Sequence, residues 1–358
     1  MGSSAAFRTA LEPPRPAILG GMSAAPTPAQ QEFLAMLVHR GFLEKEHALQ
    51  ILRGVAEQGF QDAVAAVTGW DAKKIAFLQK TKGLAEPEIP GYTIERKLGE
   101  GGTSEVFGAK RDKDFARVAL KILLPKLAQD AVAVRRFLAE AKTLSELKVK
   151  SVVKGHRVFR FLGTYILEMD WVAGRTLEEY LAEGETFAEK RALDVVLQTA
   201  RALEDMREAG LVHRDLKPGN IMISKEGKVT LIDLGFAGAG MEGRHDSEST
   251  LGTPAYLAPE QARGEDDLDS RADIYSLGAT LYHLVIGKLP FQAGDDQEML
   301  RKQVLEGLSG AALKGGDISP SLHYFIEKMM AKDRESRYAS AAALIEDIEA
   351  HMKSQAGW

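Results

Sequence analysis

The sequence predicts an α+β protein in which a small helical module precedes a strand-rich lobe and a larger helical lobe. Three patterns carry that prediction. Apolar residues recur at helical spacing from Ala29 to Lys82, short stretches that alternate or run apolar follow between Tyr92 and Leu123, and helical periodicity dominates again beyond Gly163–Val172.

In chain order, residues 1–28 are rich in Ala, Pro, Gly and Ser, a composition that buries too little apolar surface to order itself and reads as a disordered tail. Within 29–84, Phe33, Leu34, Leu37 and Val38, then Leu49, Ile51, Leu52 and Val55, then Val64 and Val67, then Ile75 and Leu78 mark three or four short helices. Gly41, Gly59 and Gly69 punctuate them, and Asp71 is a plausible N-cap. Prolines 87 and 90 deny further helix to the linker 85–91. Strands follow at Tyr92–Leu98, Glu105–Arg111 and Phe115–Leu123, and an amphipathic helix runs from Ala131 to Leu147.

Composition narrows the function. The chain of 358 residues is 45% hydrophobic, enough for two or three domains with an ordinary core. Its 46 Lys and Arg against 51 Asp and Glu give a net charge of -5, without the basic excess of a nucleic-acid or anionic-membrane surface. No run reaches the roughly 18 apolar residues of a membrane span, and the start lacks the order of a signal peptide. The absence of cysteine excludes disulfides, thiolate catalysis and cysteine-ligated metals. A cytoplasmic location fits all of this.

The stretch LGEGGTSEVFG (Leu98–Gly108) has the glycine density of a phosphate loop, with Ser104 where G-x-G-x-x-G has its third glycine. A dinucleotide-binding loop opens a helix and is followed about 20 positions later by an acid. Here a strand follows and the residue so placed is Lys121, and no Walker ending G-K-[ST] is present. The remaining reading is a glycine hairpin folded over a triphosphate, with a lysine delivered from a later strand. Taken alone, Lys121 in VALKIL is a snorkelling strand lysine. Glu140, however, lies between Phe137 and Leu144 on the apolar helix face, where a buried carboxylate needs a partner such as Lys121. Further on, LVHRDLKPGNIMI sets a general base, Asp215, before a cation, Lys217, and an amide, Asn220. The hairpin IMIS-KEGK-VTLID returns Asp233 toward Asn220, so that two oxygen ligands converge where Mg²⁺ would sit.

Residues from about 92 to 350 resemble a Hanks-type, eukaryotic-like protein Ser/Thr kinase of the kind common in bacteria. LGEGGTSEV resembles its glycine-rich loop, VALK its strand lysine, Glu140 its helix glutamate and MDWV (Met169–Val172) its hinge. HRDLKPGN resembles the catalytic loop, and DLG (Asp233–Gly235) the metal motif with Leu234 in place of the usual Phe. GTPAYLAPE resembles the end of the activation segment, DIYSLG the helix that anchors the catalytic loop, and Arg337 the arginine that pairs with Glu260. The resemblance implies a bilobal protein-kinase fold over 92–350, with lobes 92–169 and 173–350.

It also implies ATP with Mg²⁺, or Mn²⁺, and protein substrates with Ser/Thr acceptors. Leu98, Gly99, Glu100, Gly101, Gly102, Thr103 and Ser104 would cover the phosphates, and Lys121, held by Glu140, would contact the α and β groups. Adenine would lie between Val106 and Ala119 above and Met222 below, bonded to the backbone of Asp170 and Val172. Met169 would be the gatekeeper, although a core methionine fits that side chain nearly as well. Asn220 and Asp233 would hold the metal, Asp215 would accept the substrate proton, Lys217 would stabilise the γ-phosphate, and His213 would be structural.

Arg214 resembles the arginine that receives an activation-loop phosphate. Ser247, Ser249 and Thr250 are candidate acceptors for autophosphorylation; distance from Thr253 favours Ser249 or Thr250, and solvated loop hydroxyls are the alternative. A different class of function, a pseudokinase or scaffold acting through its helical module, is weighed against the signalling enzyme. The module itself reads as a partner-binding element or a passive appendage.

Overall fold

A computed structural model describes residues 25–39, 42–80, 87–234, 254–308 and 318–356. The expected tail before residue 25, part of the linker, Gly235 and the candidate acceptors Ser247, Ser249 and Thr250 lie outside the described residues. The chain forms two compact units: residues through Arg135 with Val158–Leu167, and Arg136–Arg157 with the chain from Glu168 onward. No helix among the described residues is long and apolar enough to cross a membrane.

In the first unit, helical periodicity appears as α1 (Pro28–His39), α2 (Lys45–Gln58), α3 (Phe60–Thr68) and α4 (Ala72–Lys80). Gly69, at φ 68°, closes α3 in the left-handed conformation that glycine adopts without strain. Asp71 caps α4, its Oδ1 accepting from the Lys74 N–H at 2.7 Å. The apolar faces meet in one core around Phe33, Leu37, Ile51, Val64 and Ile75, where Phe33 and Phe60 sit edge to face at 6.0 Å.

The strands follow as β1 (Tyr92–Glu100), β2 (Ser104–Arg111) and β3 (Arg117–Leu123), then α5 (Ala131–Glu146), β4 (Gly155–Phe161) and β5 (Thr164–Asp170). They make an antiparallel-paired β1–β2–β3 meander within a five-stranded sheet of order β1-β2-β3-β5-β4. Strand alternation gives the meander two chemically different faces. Val106 opposite Lys121 and Gly108 opposite Ala119 share one face; Phe107 opposite Leu120 and Ala109 opposite Val118 share the other. The second face is an apolar layer with Ile89, Tyr92, Ile122 and Ile166, and Phe159 stacks on Tyr92 at 5.8 Å. The β4–β5 turn is made by Leu162 and Gly163, both at positive φ, as a two-residue hairpin requires. Leu162 packs against the core of the four helices, so the helical module is joined to the sheet through this turn.

The second unit is mainly helical. A small sheet of β6 (Arg175–Thr176), β7 (Ile221–Ile223) and β8 (Val229–Leu231) accompanies α6 (Leu177–Ala182) and α7 (Glu189–Glu208). Then come α8 (Pro259–Ala262), α9 (Arg271–Ile286), α10 (Asp296–Leu305), α11 (Pro320–Met329) and α12 (Ala341–Ala356). Helix α9 is buried nearly all round, from Ala272 to Tyr282, which is why its sequence lacks a polar face. Gly278 lets it approach α11 closely, since a Cβ there would stand 2.7 Å from that of Met329.

Arg337 and Glu260, both buried, form a two-pronged ion pair at 2.6 and 2.8 Å; Arg337 also donates to the carbonyls of Ala331 and Arg271. These additional bonds occupy the guanidinium donors that burial would otherwise strand. Beside it, Lys332 donates to the Gln303 carbonyl at 2.7 Å and to the Tyr275 hydroxyl at 3.0 Å. Burial, reinforced by the charge of Arg337, lowers this ammonium from 10.5 to about 8. Between those two values the unfolded chain binds the proton that the folded chain has released, so stability rises with pH across that window. Urea denaturation from pH 7.5 to 10.5 should therefore show wild type gaining stability relative to Lys332→Met, and parallel profiles would contradict the assignment.

Candidate active site

Two sets of residues singled out in the sequence occupy the two units. In the first, Leu98, Gly99 and Glu100 end β1, Gly101–Thr103 turn, and Ser104 opens β2, with the Gly101 N–H donating to the Ser104 carbonyl at 2.8 Å. Lys97 holds both shoulders of this hairpin, at 2.6 Å from Glu100 and 2.7 Å from Glu105. That contact keeps the Glu100 carboxyl below the usual carboxylate range. A Cβ built at Gly99 or Gly102 meets nothing within 4 Å, and neither residue has a left-handed φ. Neither crowding nor backbone conformation in the described structure demands glycine at these two positions. Val106, Ala119 and Lys121 share one sheet face, with Ala119 and Lys121 buried.

In the second unit, Glu140 is buried on α5 beside Phe137, Ala141 and Leu144. The segment Leu211–Asn220 is fixed from below by Asp273 of α9, whose two carboxylate oxygens accept the N–H groups of His213 and Arg214, each at 2.8 Å. Burial pushes the Asp273 carboxyl above the usual range, opposed by His213, by those N–H donors and by Arg214. Arg214 has φ 66°, a conformation that costs a non-glycine residue energy and persists only where neighbours impose it. Its carbonyl accepts from Gln261 Nε2 at 2.7 Å. His213 is fully buried, and its Nδ1 accepts from the Asp215 N–H.

Above this clamp three side chains converge. Lys217 Nζ lies 2.9 Å from Asp215 Oδ2, and Asn220 Nδ2 donates to the Asp215 carbonyl at 2.8 Å and to its Oδ2 at 3.2 Å. The amide nitrogen of Asn220 is committed to Asp215, which leaves Oδ1 as its acceptor. Ile221 pairs with Leu231, and the Ile232 N–H donates to the Asn220 carbonyl, so the chain delivers Asp233 next to Asn220 as the hairpin pattern predicts. Two hard oxygen donors suit a small divalent cation that completes its shell with phosphate and water. Among the described residues there is no cluster of three or more His, Cys, Asp or Glu that could hold a metal ion.

At the hinge, Met169 is buried and the Asp170 N–H donates to the Lys154 carbonyl at 2.9 Å. The Asp170 N–H is thereby engaged within the protein. Met222 sits in β7 opposite Thr176 and Thr230, and Val172 is partly buried.

Sequence reasoning missed Gln261 and Gln303. The latter, fully buried, donates to the Ala255 carbonyl at 2.7 Å and accepts from Tyr275 at 2.6 Å, holding the turn Pro254–Tyr256. A lone glutamine in an amphipathic helix gives no signal of this. Gly174 was missed too: a Cβ there would stand 2.3 Å from the Ile223 carbonyl oxygen, so the chain leaving the hinge touches β7 backbone to backbone. Gly174→Ala should cost about 1–3 kcal/mol. Gly307→Ala, where a Cβ meets nothing within 4 Å, should stay within about 0.5 kcal/mol. Equal midpoints of chemical denaturation for the two variants would refute the close approach.

Comparison with known proteins accords with this geometry. Residues 92–348 match the protein kinase domain family. A probable serine/threonine-protein kinase of Streptomyces coelicolor is 33% identical over 281 residues, 76% of this chain and 42% of that one. The serine/threonine-protein kinase PknB of Mycolicibacterium smegmatis is 33% identical over 265 residues, 72% of this chain and 42% of its own. PknB of Mycobacterium tuberculosis is 33% identical over 264 residues, again 72% and 42%. The chain thus spans about two-fifths of the length of these relatives. It belongs to the protein kinase domain family, and the relatives it is similar to are bacterial serine/threonine-protein kinases.

Proposed function

We propose that this chain transfers the γ-phosphoryl group of ATP to Ser/Thr hydroxyls of proteins in the cytoplasm. The observation that carries the reading is the convergence of Asp215, Lys217 and Asn220 on a loop held by Asp273. Membership in the family brings ATP and a divalent metal with it. Mg²⁺, with Mn²⁺ as a substitute, is the ion that Asn220 Oδ1 and the Asp233 carboxylate suit. When bound it neutralises charge on the phosphate oxygens.

Because phosphoryl transfer passes through a loose transition state, the protein contributes position and charge. In this reading the bare backbone at Gly99 and Gly102 is reserved for phosphate, and the N–H groups from Gly99 to Ser104 cover it. Lys121, oriented by Glu140, meets the α and β groups. Adenine lies between Val106 and Ala119 on one side and Met222 on the other, donating to the Asp170 carbonyl and accepting from the Val172 N–H, with Met169 bounding the pocket. The substrate oxygen forms its bond to phosphorus as the bond to the β–γ bridging oxygen breaks. Asp215 takes the hydroxyl proton and Lys217 faces the migrating phosphoryl group. Phosphate on Ser249 or Thr250, placed there by the enzyme itself, would pair with Arg214. A protein partner of the helical module belongs to the same proposal. No member of the Asp215, Lys217, Asn220 and Asp233 set is replaced, so nothing favours a catalytically silent scaffold.

Incubating the purified chain with radiolabelled ATP, MgCl₂ and a generic basic protein tests this. Wild type should label serine and threonine, and Asp215→Asn should label them about 10²–10⁴-fold more slowly with ATP binding retained. An undiminished rate in Asp215→Asn would refute the role of Asp215.

A further inference from the structure

Beside Asp215, Lys217 and Asn220 lies a carboxylate to which the phosphoryl-transfer reading gives no role. Glu178, in the first turn of α6, reaches over the loop: a Cβ built at Gly219 would stand 2.8 Å from its Oε2. The bare backbone of Gly219 leaves that space to the carboxylate. Asn220 Nδ2 is 3.2 Å from Asp215 Oδ2, so Gly219, the residue before it, borders the place where an acceptor hydroxyl would stand. Burial, and after it the charge of Glu178, raises the Tyr256 hydroxyl above its ordinary value. Glu178 therefore acts both on the loop and on the turn Pro254–Tyr256.

The charges around it are otherwise matched. Lys217 faces Asp215 at 2.9 Å, the charge of Arg214 acts on the buried Asp273, and Arg175 is held by Glu183 and Glu185. The Glu179 carboxylate accepts the Thr176 N–H at 2.7 Å. Glu178 is left over: it is exposed and makes no hydrogen bond or ion pair among the described residues. An acid in the first turn of a helix is favoured by the helix dipole without any partner. That benefit does not depend on where the carboxylate lies, and here it lies across Gly219.

The occupant of this space follows from the proposed reaction, on which the inference rests. A polypeptide that presents Ser or Thr to Asp215 passes beside Gly219, and only the charge of its neighbouring side chain remains to be fixed. An unmatched carboxylate favours a cation, above all arginine, whose planar fork meets both oxygens. We propose that Glu178 is a specificity-determining residue, selecting protein substrates that carry an arginine close in sequence to the acceptor Ser or Thr.

The full chain is assayed with radiolabelled ATP and MgCl₂ on glycine–alanine peptides that hold one serine and one arginine, the arginine moved through the positions on either side. An arginine-free peptide of the same length is the reference. For at least one arginine position, wild type should show a kcat/KM about five-fold or more above the reference, the worth of an exposed ion pair, with the gain in KM. Glu178→Gln should bring that ratio to about one, and Glu178→Lys should favour aspartate over arginine at the same position. A ratio taken within one variant does not depend on how much of it is folded. Equal kcat/KM of wild type for every arginine peptide and the reference, or a ratio unchanged in Glu178→Gln, would overturn the inference and leave phosphoryl transfer standing. A wild-type chain that labels no peptide would overturn both.

Discussion

A single buried carboxylate sets the position of the loop Leu211–Asn220. Asp273 gives up its hydration inside α9 and recovers part of that cost from two backbone N–H groups, those of His213 and Arg214. The arrangement forces Arg214 to φ 66° and turns the next residue, Asp215, toward Lys217 and Asn220. A loop that holds Asp215, Lys217 and Asn220 against one another cannot rely on its own contacts, because ordering each residue costs about 1–2 kcal/mol of backbone entropy. It borrows rigidity from the most buried helix of the second unit. The same helix is gripped by α11 through Gly278, and Arg337 donates to the carbonyl of its first residue.

The first unit solves a different problem. Its meander has one face that carries Lys121, while the opposite face is covered by an apolar layer. Period-two alternation separates the two tasks without any residue serving both: Val106, Ala119 and Lys121 on one side, Phe107, Leu120 and Ile122 on the other. Tyr92, Phe159 and Ile166 join the apolar side, and the helical module reaches the sheet through Leu162, partly buried against the helix core. A glycine hairpin stripped of side chains then needs external bracing, which the Lys97 contacts to Glu100 and Glu105 provide.

Much of this was legible in the residues. HRDLKPGN and the hairpin after it carry their geometry in their spacing, because a two-stranded turn returns the chain to its starting point whatever surrounds it. The pair Glu260 and Arg337 was legible only through the motif order, and the structure places it at 2.6 Å. Periodicity showed that the four N-terminal helices have apolar faces, but not that a turn residue such as Leu162 would share their core. Contacts that depend on where two distant backbones cross, as at Gly174 and Ile223, leave no local pattern. Gln261 and Gln303 belong to the same class: their hydrogen bonds go to backbone carbonyls, which any sequence supplies.

The dependence of the loop Leu211–Asn220 on one carboxylate can be read directly at the amides it holds. Amide hydrogen exchange followed by NMR should find the N–H groups of His213 and Arg214 protected in the wild-type chain. In Asp273→Ala they should exchange at least about 10²-fold faster, the loss of a charge-assisted hydrogen bond in a buried site, while the amides of α9 from Tyr275 to Leu284 stay protected. Unchanged protection at His213 and Arg214 in that variant would show that other contacts hold the loop, and would contradict the account.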